Sequence, residues 1–198
     1  MEEIELFATE NKIPIMQKES MLYLMEYIKV NNVKKILEIG TAIGYSAIMM
    51  ASTSKKVNIT TIEKDKERYR LAISNIKSHN VNDQIEVINK DACEVELNDT
   101  FDLIFIDAAK GKNKLFFNKF KDNLQPNGVI ITDNLSFHGL VENPLLIKTK
   151  NQKNIVNKIK DFILFLDNNQ EYLTEYIKVG DTIAISKRRD DNETNCSS

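Results

Sequence analysis

The stretch Lys35–Glu63, KILEIGTAIGYSAIMMASTSKKVNITTIE, decides the fold. Ile36, Leu37 and Ile39 make a short apolar run, as expected of a parallel strand covered on both faces. Gly40-Thr41-Ala42-Ile43-Gly44 interrupts that run, and Tyr45 to Ser52 continues with helical spacing before a second strand ends on Glu63. Strand, glycine turn, helix and strand make one βαβ nucleotide-binding unit, and ligands of open α/β sheets bind at the edge where such turns lie.

A dinucleotide fingerprint, G-x-G-x-x-G, would place its third glycine where Tyr45 stands. The chain offers E-x-G-x-x-x-G from Glu38 to Gly44, and it places Glu63 where an acid can hold both ribose hydroxyls of an adenosine. The turn contains no Lys or Arg to grip phosphates. A cofactor with a ribose and no pyrophosphate fits this pattern, and S-adenosylmethionine is such a cofactor. A tight βα turn and an acid at a helix start would produce the same letters for structural reasons alone.

The 198 residues, 42% hydrophobic and 28% charged, suit one domain over residues 1–189, with a polar tail, 190–198, expected to be disordered. A net charge of −2 argues against a generally basic coat, so any RNA contact must come from a local patch. No apolar run approaches membrane-spanning length and the start MEEIELF is no signal peptide, so the expected location is the cytoplasm, away from membranes. Cys93 and Cys196 give neither a disulfide framework nor metal spacing, and Cys93 is expected to be a small buried residue. His79, expected to face solvent, and His138 fall short of a metal cluster.

Pro14 breaks any helix near Ile13–Met16, and this segment reads either as a plug under the sheet or as a flap over the cofactor edge. Ser20 to Val30 and Lys64 to Ser78 have helical patterns, and Ile85 to Ile88 reads as a strand leading to Asp91-Ala92. Asp91 is read equally as a turn former and as an adenine-side contact. Phe101 to Ile106 is a strand ending in Asp107, followed by a helix from Lys114 to Asn123. Pro126-Asn127-Gly128 reads as a turn, and Val129 to Thr132 as a strand ending in Asp133-Asn134. A helix over Gln152 to Leu166 precedes a hairpin of Tyr172–Val179 and Thr182–Ser186 about Gly180-Asp181. The alternation predicts an α/β, doubly wound, mostly parallel sheet with a C-terminal antiparallel hairpin.

Two strands, FDLIFID and GVIITDN, thus end in carboxylates at the cofactor edge, and Asn134 adds an amide oxygen. Mg²⁺ favours such hard oxygen donors; with about six positions and three protein ligands, about three remain for two vicinal substrate oxygens and a water.

ILEIGTAIGYSA resembles the first motif of the cation-dependent O-methyltransferases, which include catechol and caffeoyl-CoA methyltransferases. FIDAAKG resembles their metal-aspartate motif with its lysine, and TDNLSFHG their second metal motif. The resemblance implies a Rossmann-like class I methyltransferase with seven strands, and Asp107, Asp133 and Asn134 as ligands of Mg²⁺ or another divalent cation. It further implies Lys110 as general base, and contacts to S-adenosyl-L-methionine from Met16, Glu38, Gly40, Thr41, Gly44, Ser46, Glu63, Asp91, Ala92 and Asp107.

IPIM, TIEKD and GDTIAISK extend the likeness, over roughly Ala8 to Arg188, to the bacterial tRNA 5-hydroxyuridine methyltransferases. These relatives imply a homodimer acting on the tRNA anticodon region, at the wobble 5-hydroxyuridine. The short stretch before IPIM is expected to lack most of the N-terminal helix common among them. Lys148 to Lys153 is less basic than expected of a segment that grips an anticodon stem, Lys187-Arg188-Arg189 supplies another basic cluster, and both suit either RNA or plain solvent. A small catechol or other vicinal diol is the alternative substrate, and a non-catalytic RNA-binding protein on the same fold is the alternative class.

Overall fold

The computed structural model describes residues 1–108 and 110–189, so the expected tail, with Cys196, lies outside the described residues. Its strands are β1 Lys35–Ile39, β2 Asn58–Ile62, β3 Ile85–Ile88, β4 Phe101–Ile106, β5 Leu124–Thr132, β6 Tyr172–Ile177 and β7 Ile183–Arg188. They form one sheet in the order β3-β2-β1-β4-β5-β7-β6. β1 to β5 run parallel, and β7 lies antiparallel to both β5 and β6, which is the doubly wound sheet with a terminal hairpin that the sequence implies. The order reverses between β1 and β4, and ligand crevices of such sheets open at that point.

Side-chain alternation divides the interior into two cores. Leu103 and Phe105 of β4 face one core, which receives Ile4 and Ala8 of α1 (Glu2–Glu10), Leu24 and Ile28 of α2 (Lys18–Val30), Ile48 of α3 (Tyr45–Ala51) and Ile76 of α4 (Lys66–Ser78). Ile104 and Ile106 face the other, filled by Phe116, Phe117 and Phe120 of α5 (Asn113–Phe120) and Ile159, Phe162 and Leu166 of α6 (Lys150–Asp167). Strands buried on both faces read as continuous apolar runs, which is why FDLIFI and GVIIT stand out in the sequence.

Three elements differ from expectation. α1 precedes Pro14 in a segment whose only buried residues are Ile4 and Ala8, and its Glu5 accepts a hydrogen bond from Tyr45 Oη at 2.9 Å. β5 begins at Leu124, because Phe101 pairs with Leu124 and Leu103 with Val129, so a bulge carries Pro126-Asn127-Gly128 within the strand. The last helix starts at Lys150, earlier than expected, because Thr149 and Gln152 form a reciprocal capping box. Among the described residues no helix is long and apolar enough to cross a membrane.

Phe117 is 1% exposed and meets Phe165 and Tyr172 edge-on at 5.4 and 5.1 Å between centroids. Phe117→Ala should therefore cost about 3–5 kcal/mol. Circular dichroism melting should show the midpoint falling by about 10 °C, and an unchanged midpoint would contradict this packing.

Candidate active site

Gly40, Glu63, Asp107 and Asp133 of the candidate site stand at the C-terminal ends of the parallel strands. Backbone bonds align those ends: Gly40 N–H donates to Ile62 O at 3.0 Å, Glu63 N–H to Ile88 O at 3.0 Å, Asp107 N–H to Ile39 O at 3.1 Å and Asp133 N–H to Ile106 O at 3.3 Å. At Gly40, φ is +108°, and a Cβ would collide with the Asp107 carbonyl oxygen and stand 2.9 Å from its carbon. Only glycine lets the chain pass there.

The turn is held from both sides by carboxylates. Glu63, 7% exposed, accepts from Ala42 N–H through Oε2 and from Asp65 N–H through Oε1, each at 2.9 Å. A carboxylate has about four lone-pair sites, so Glu63 retains capacity for ribose hydroxyls. Glu38 is fully buried and accepts from Ser46 Oγ and Thr61 Oγ1, while Thr41 Oγ1 lies 2.7 Å from Thr61 Oγ1. Burial pushes the Glu38 carboxyl up to about 7; the two hydroxyls oppose the rise, and the Asp107 and Glu63 charges add to it. Glu38, Thr41 and Ser46 thus form an interior clamp behind the turn, tying β1, β2 and α3 together.

Met16 is also interior, 3% exposed in the core that holds Tyr45 and Ile48, whereas Ile13 and Ile15 are half-buried against it. Asp91 accepts from Cys93 N–H at 2.9 Å, and its carboxyl is lowered to about 2 by that bond, the Cys93 thiol and the Lys112 ammonium. Lys112 Nζ stands 3.4 Å from Asp91 and 3.3 Å from Cys93 Sγ, a link between α5's leading turn and the end of β3 that sequence reasoning missed. Ala92 is buried beside this pair. Cys93, expected to be buried, is half-exposed, and His79 packs its Nδ1 2.8 Å from Asn75 O at the end of α4.

Across the crevice, Asn134 Nδ2 lies 3.3 Å from Asp107 Oδ1 and 3.1 Å from Asp133 Oδ2. Asp133 is 1% exposed, and Asn134 adopts φ +68°, a left-handed conformation that Asn tolerates better than most residues. Turning the amide by 180° would present its oxygen, which makes a donor set of two carboxylates and one amide. That donor set makes the corner the candidate; among the described residues no group of three His, Cys, Asp or Glu is arranged for a metal. Its chemistry fits a hard divalent cation that keeps several waters. Lys110 begins the 3₁₀ turn Lys110–Lys112 that follows Asp107; its side chain lies outside the described residues, as does Ala109.

Comparisons with known proteins identify the family. Residues 1–189 match the O-methyltransferase family. A candidate caffeoyl-CoA O-methyltransferase of Staphylococcus aureus superimposes with a TM-score of 0.89 at 35% identity, covering 95% of this chain and 91% of that one. An O-methyltransferase of Bacillus cereus, solved in complex with SAH, gives 0.80 at 26% identity, covering 95% and 90%. The caffeoyl-CoA O-methyltransferase of Populus kitakamiensis is 27% identical over 175 residues, 84% of this chain and 74% of its own. The chain belongs to the O-methyltransferase family, in its caffeoyl-CoA methyltransferase-like branch. It is accordingly an S-adenosylmethionine-dependent O-methyltransferase.

The Glu38 clamp has a consequence for stability. Because the folded-state pKa is raised from 4.5 to about 7, the neutral acid is favoured on folding, and that stabilisation is present below pH 4.5 and lost as pH rises through about 7. Relative to Glu38→Gln, the native protein should lose about 3 kcal/mol over this window. Urea unfolding of both proteins at several pH values checks this, and parallel curves would show that Glu38 does not titrate.

Proposed function

We propose that the chain transfers the methyl group of S-adenosylmethionine, with a divalent cation, to the 5-hydroxyl of 5-hydroxyuridine at the wobble position of tRNA, giving 5-methoxyuridine. The observation that carries the chemistry is the convergence of Asp107, Asp133 and Asn134 across the crevice from the Gly40–Gly44 turn. When bound there, a divalent cation supplies charge stabilisation and a template for two vicinal oxygens. The 5-hydroxyl and 4-carbonyl oxygens of the modified base are such a pair.

The chain's own residues supply the rest. Glu63 binds the ribose hydroxyls, and the glycine turn lets the cofactor approach the backbone. Asp91-Ala92 borders the adenine, and Asp107, between the two halves of the crevice, joins cofactor to cation corner. Lys110, three residues beyond Asp107, is the general base of this reading and takes the hydroxyl proton; a dication bound close to an ammonium would disfavour its protonated form. In-line attack then joins two opposite charges, which a drier site favours. Ile13 and Ile15, half-buried against the first core, serve as closure in this reading.

The RNA reading is supported by charge segregation. Residues 143–160 contain five lysines and no acid in a chain of net charge −2, and all five are exposed. Lys158 lies across Gly111, in the turn that follows Asp107, so this basic surface begins at the rim of the site. Homodimerisation belongs to the same proposal; Leu6 and Leu22, 60% and 53% exposed on α1 and α2, are apolar surface that such a contact would cover. The relatives named above favour a second reading, in which a small vicinal diol such as a catechol takes the place of the nucleoside.

Labelled S-adenosylmethionine offered with tRNA carrying 5-hydroxyuridine, and in parallel with catechol, separates the two. Product on tRNA that disappears with chelator is the expected result; product on catechol alone would overturn the RNA substrate and keep the chemistry. Asp133→Ala should abolish transfer with less effect on cofactor affinity, and Glu63→Ala should weaken the cofactor. Calorimetric titration in which Asp133→Ala loses both alike, or Glu63→Ala loses neither, would contradict the assignment.

A further inference from the structure

Asp181 stands in the turn between β6 and β7, where the sequence suggests nothing beyond a hairpin. Its side chain is 3% exposed, too deep for a turn former that only needs solvent. Oδ1 accepts the backbone N–H of His138 at 2.6 Å, and Oδ2 lies 3.8 Å from His138 Nδ1 with no hydrogen bond of its own. The backbone of the same turn accepts two more donors, Ser136 N–H to Asp181 O at 2.9 Å and Leu135 N–H to Thr182 O at 3.1 Å.

The segment gripped in this way, Leu135–His138, follows directly on Asp133-Asn134. It is also strained: Asn134, Phe137 and His138 have φ of +68°, +49° and +56°. Non-glycine residues remain in the left-handed region only where their surroundings over-determine them. The three bonds from the β6–β7 turn supply that constraint from outside the segment, beside local bonds such as Val141 N–H to Ser136 O at 3.1 Å and Gly139 N–H to Ser136 Oγ at 3.0 Å. The turn itself is fixed on its other side, because Ser20 Oγ donates to Val179 O at 3.2 Å and a Cβ at Gly180 would collide with Ser20 Oγ. The cation corner is therefore braced against the start of α2, next to the Ile13–Met16 segment.

We infer that Asp181 is a positioning residue for the cation corner: by holding Leu135–His138 in its strained path, it sets the Asn134 amide against Asp107 and Asp133. The inference rests on the reading of those three residues as a cation site. A buried carboxylate with one oxygen spent on a single backbone N–H is costly for a hairpin alone, and it is explained by what the hairpin holds.

The test is calorimetric titration of Mn²⁺ into the full chain with S-adenosylmethionine present, for the native protein, Asp181→Ala and Asp181→Asn. Loss of a residue that orients ligands without touching the ion typically weakens the metal by about 10–100-fold, and that loss is expected for Asp181→Ala with cofactor affinity unchanged. Asp181→Asn, whose amide oxygen can still accept the His138 N–H, should recover most of it. Should Asp181→Ala fail to fold, Asp181→Ser, too short to reach that N–H, carries the same expectation. Unchanged Mn²⁺ affinity in a folded variant, parallel loss of cofactor and cation, or no recovery in Asp181→Asn would each overturn the inference. A native protein that binds no Mn²⁺ would overturn the cation site itself and this inference with it.

Discussion

At residue 40 the backbone leaves β1 so close to the Asp107 carbonyl that no side chain fits between them. The ladder from Ile36–Leu103 to Ile39–Ile106 brings the ends of β1 and β4 together where the strand order reverses, and the bare Gly40 lets the chain turn away there. The turn proposed for the cofactor and the corner proposed for the cation share that seam, which is what a transfer between two bound groups requires. Strand pairing sets the proximity, and glycine is the residue that tolerates it.

Behind the seam the protein places a carboxylate in its interior, at an energetic cost. Glu38 is fully buried and spends both oxygens on hydroxyls of neighbouring elements. A satisfied buried network of this kind fixes one geometry, because a shifted strand would strand a polar group. Ahead of the seam, Glu63 holds the turn through backbone N–H groups and remains open to a ligand. Two acids twenty-five residues apart, on neighbouring strands, thus differ in kind: Glu38 spends its oxygens inside the fold, and Glu63 is the one proposed to meet the cofactor.

The glycine turn and the strand-end acids were legible in the sequence because each reflects a strong local constraint: no room for a Cβ, or a strand buried on both faces. α1 was not, since a helix that buries only Ile4 and Ala8 carries a faint pattern. The start of β5 was hidden because Pro126 and Gly128 ordinarily stop a strand, and only pairing with β4 shows the bulge that admits them. The Lys112–Asp91 contact and the grip of Asp181 on His138 join residues far apart in the chain, 43 positions in the second case. No spacing rule reaches that far. Glu38 was legible as part of a motif but not as an interior clamp, because a motif letter does not say which way a side chain turns.

The central claim is that Asp107, Asp133 and Asn134 bind one hard cation beside the cofactor. A crystal structure with S-adenosylhomocysteine and Mn²⁺, using the anomalous signal of manganese, tests it most directly. The account requires one peak about 2.1 Å from an oxygen of each of the three side chains, with the Asn134 amide turned so that its oxygen faces the ion. No peak there, with the Asn134 nitrogen still directed at both carboxylates, would contradict it.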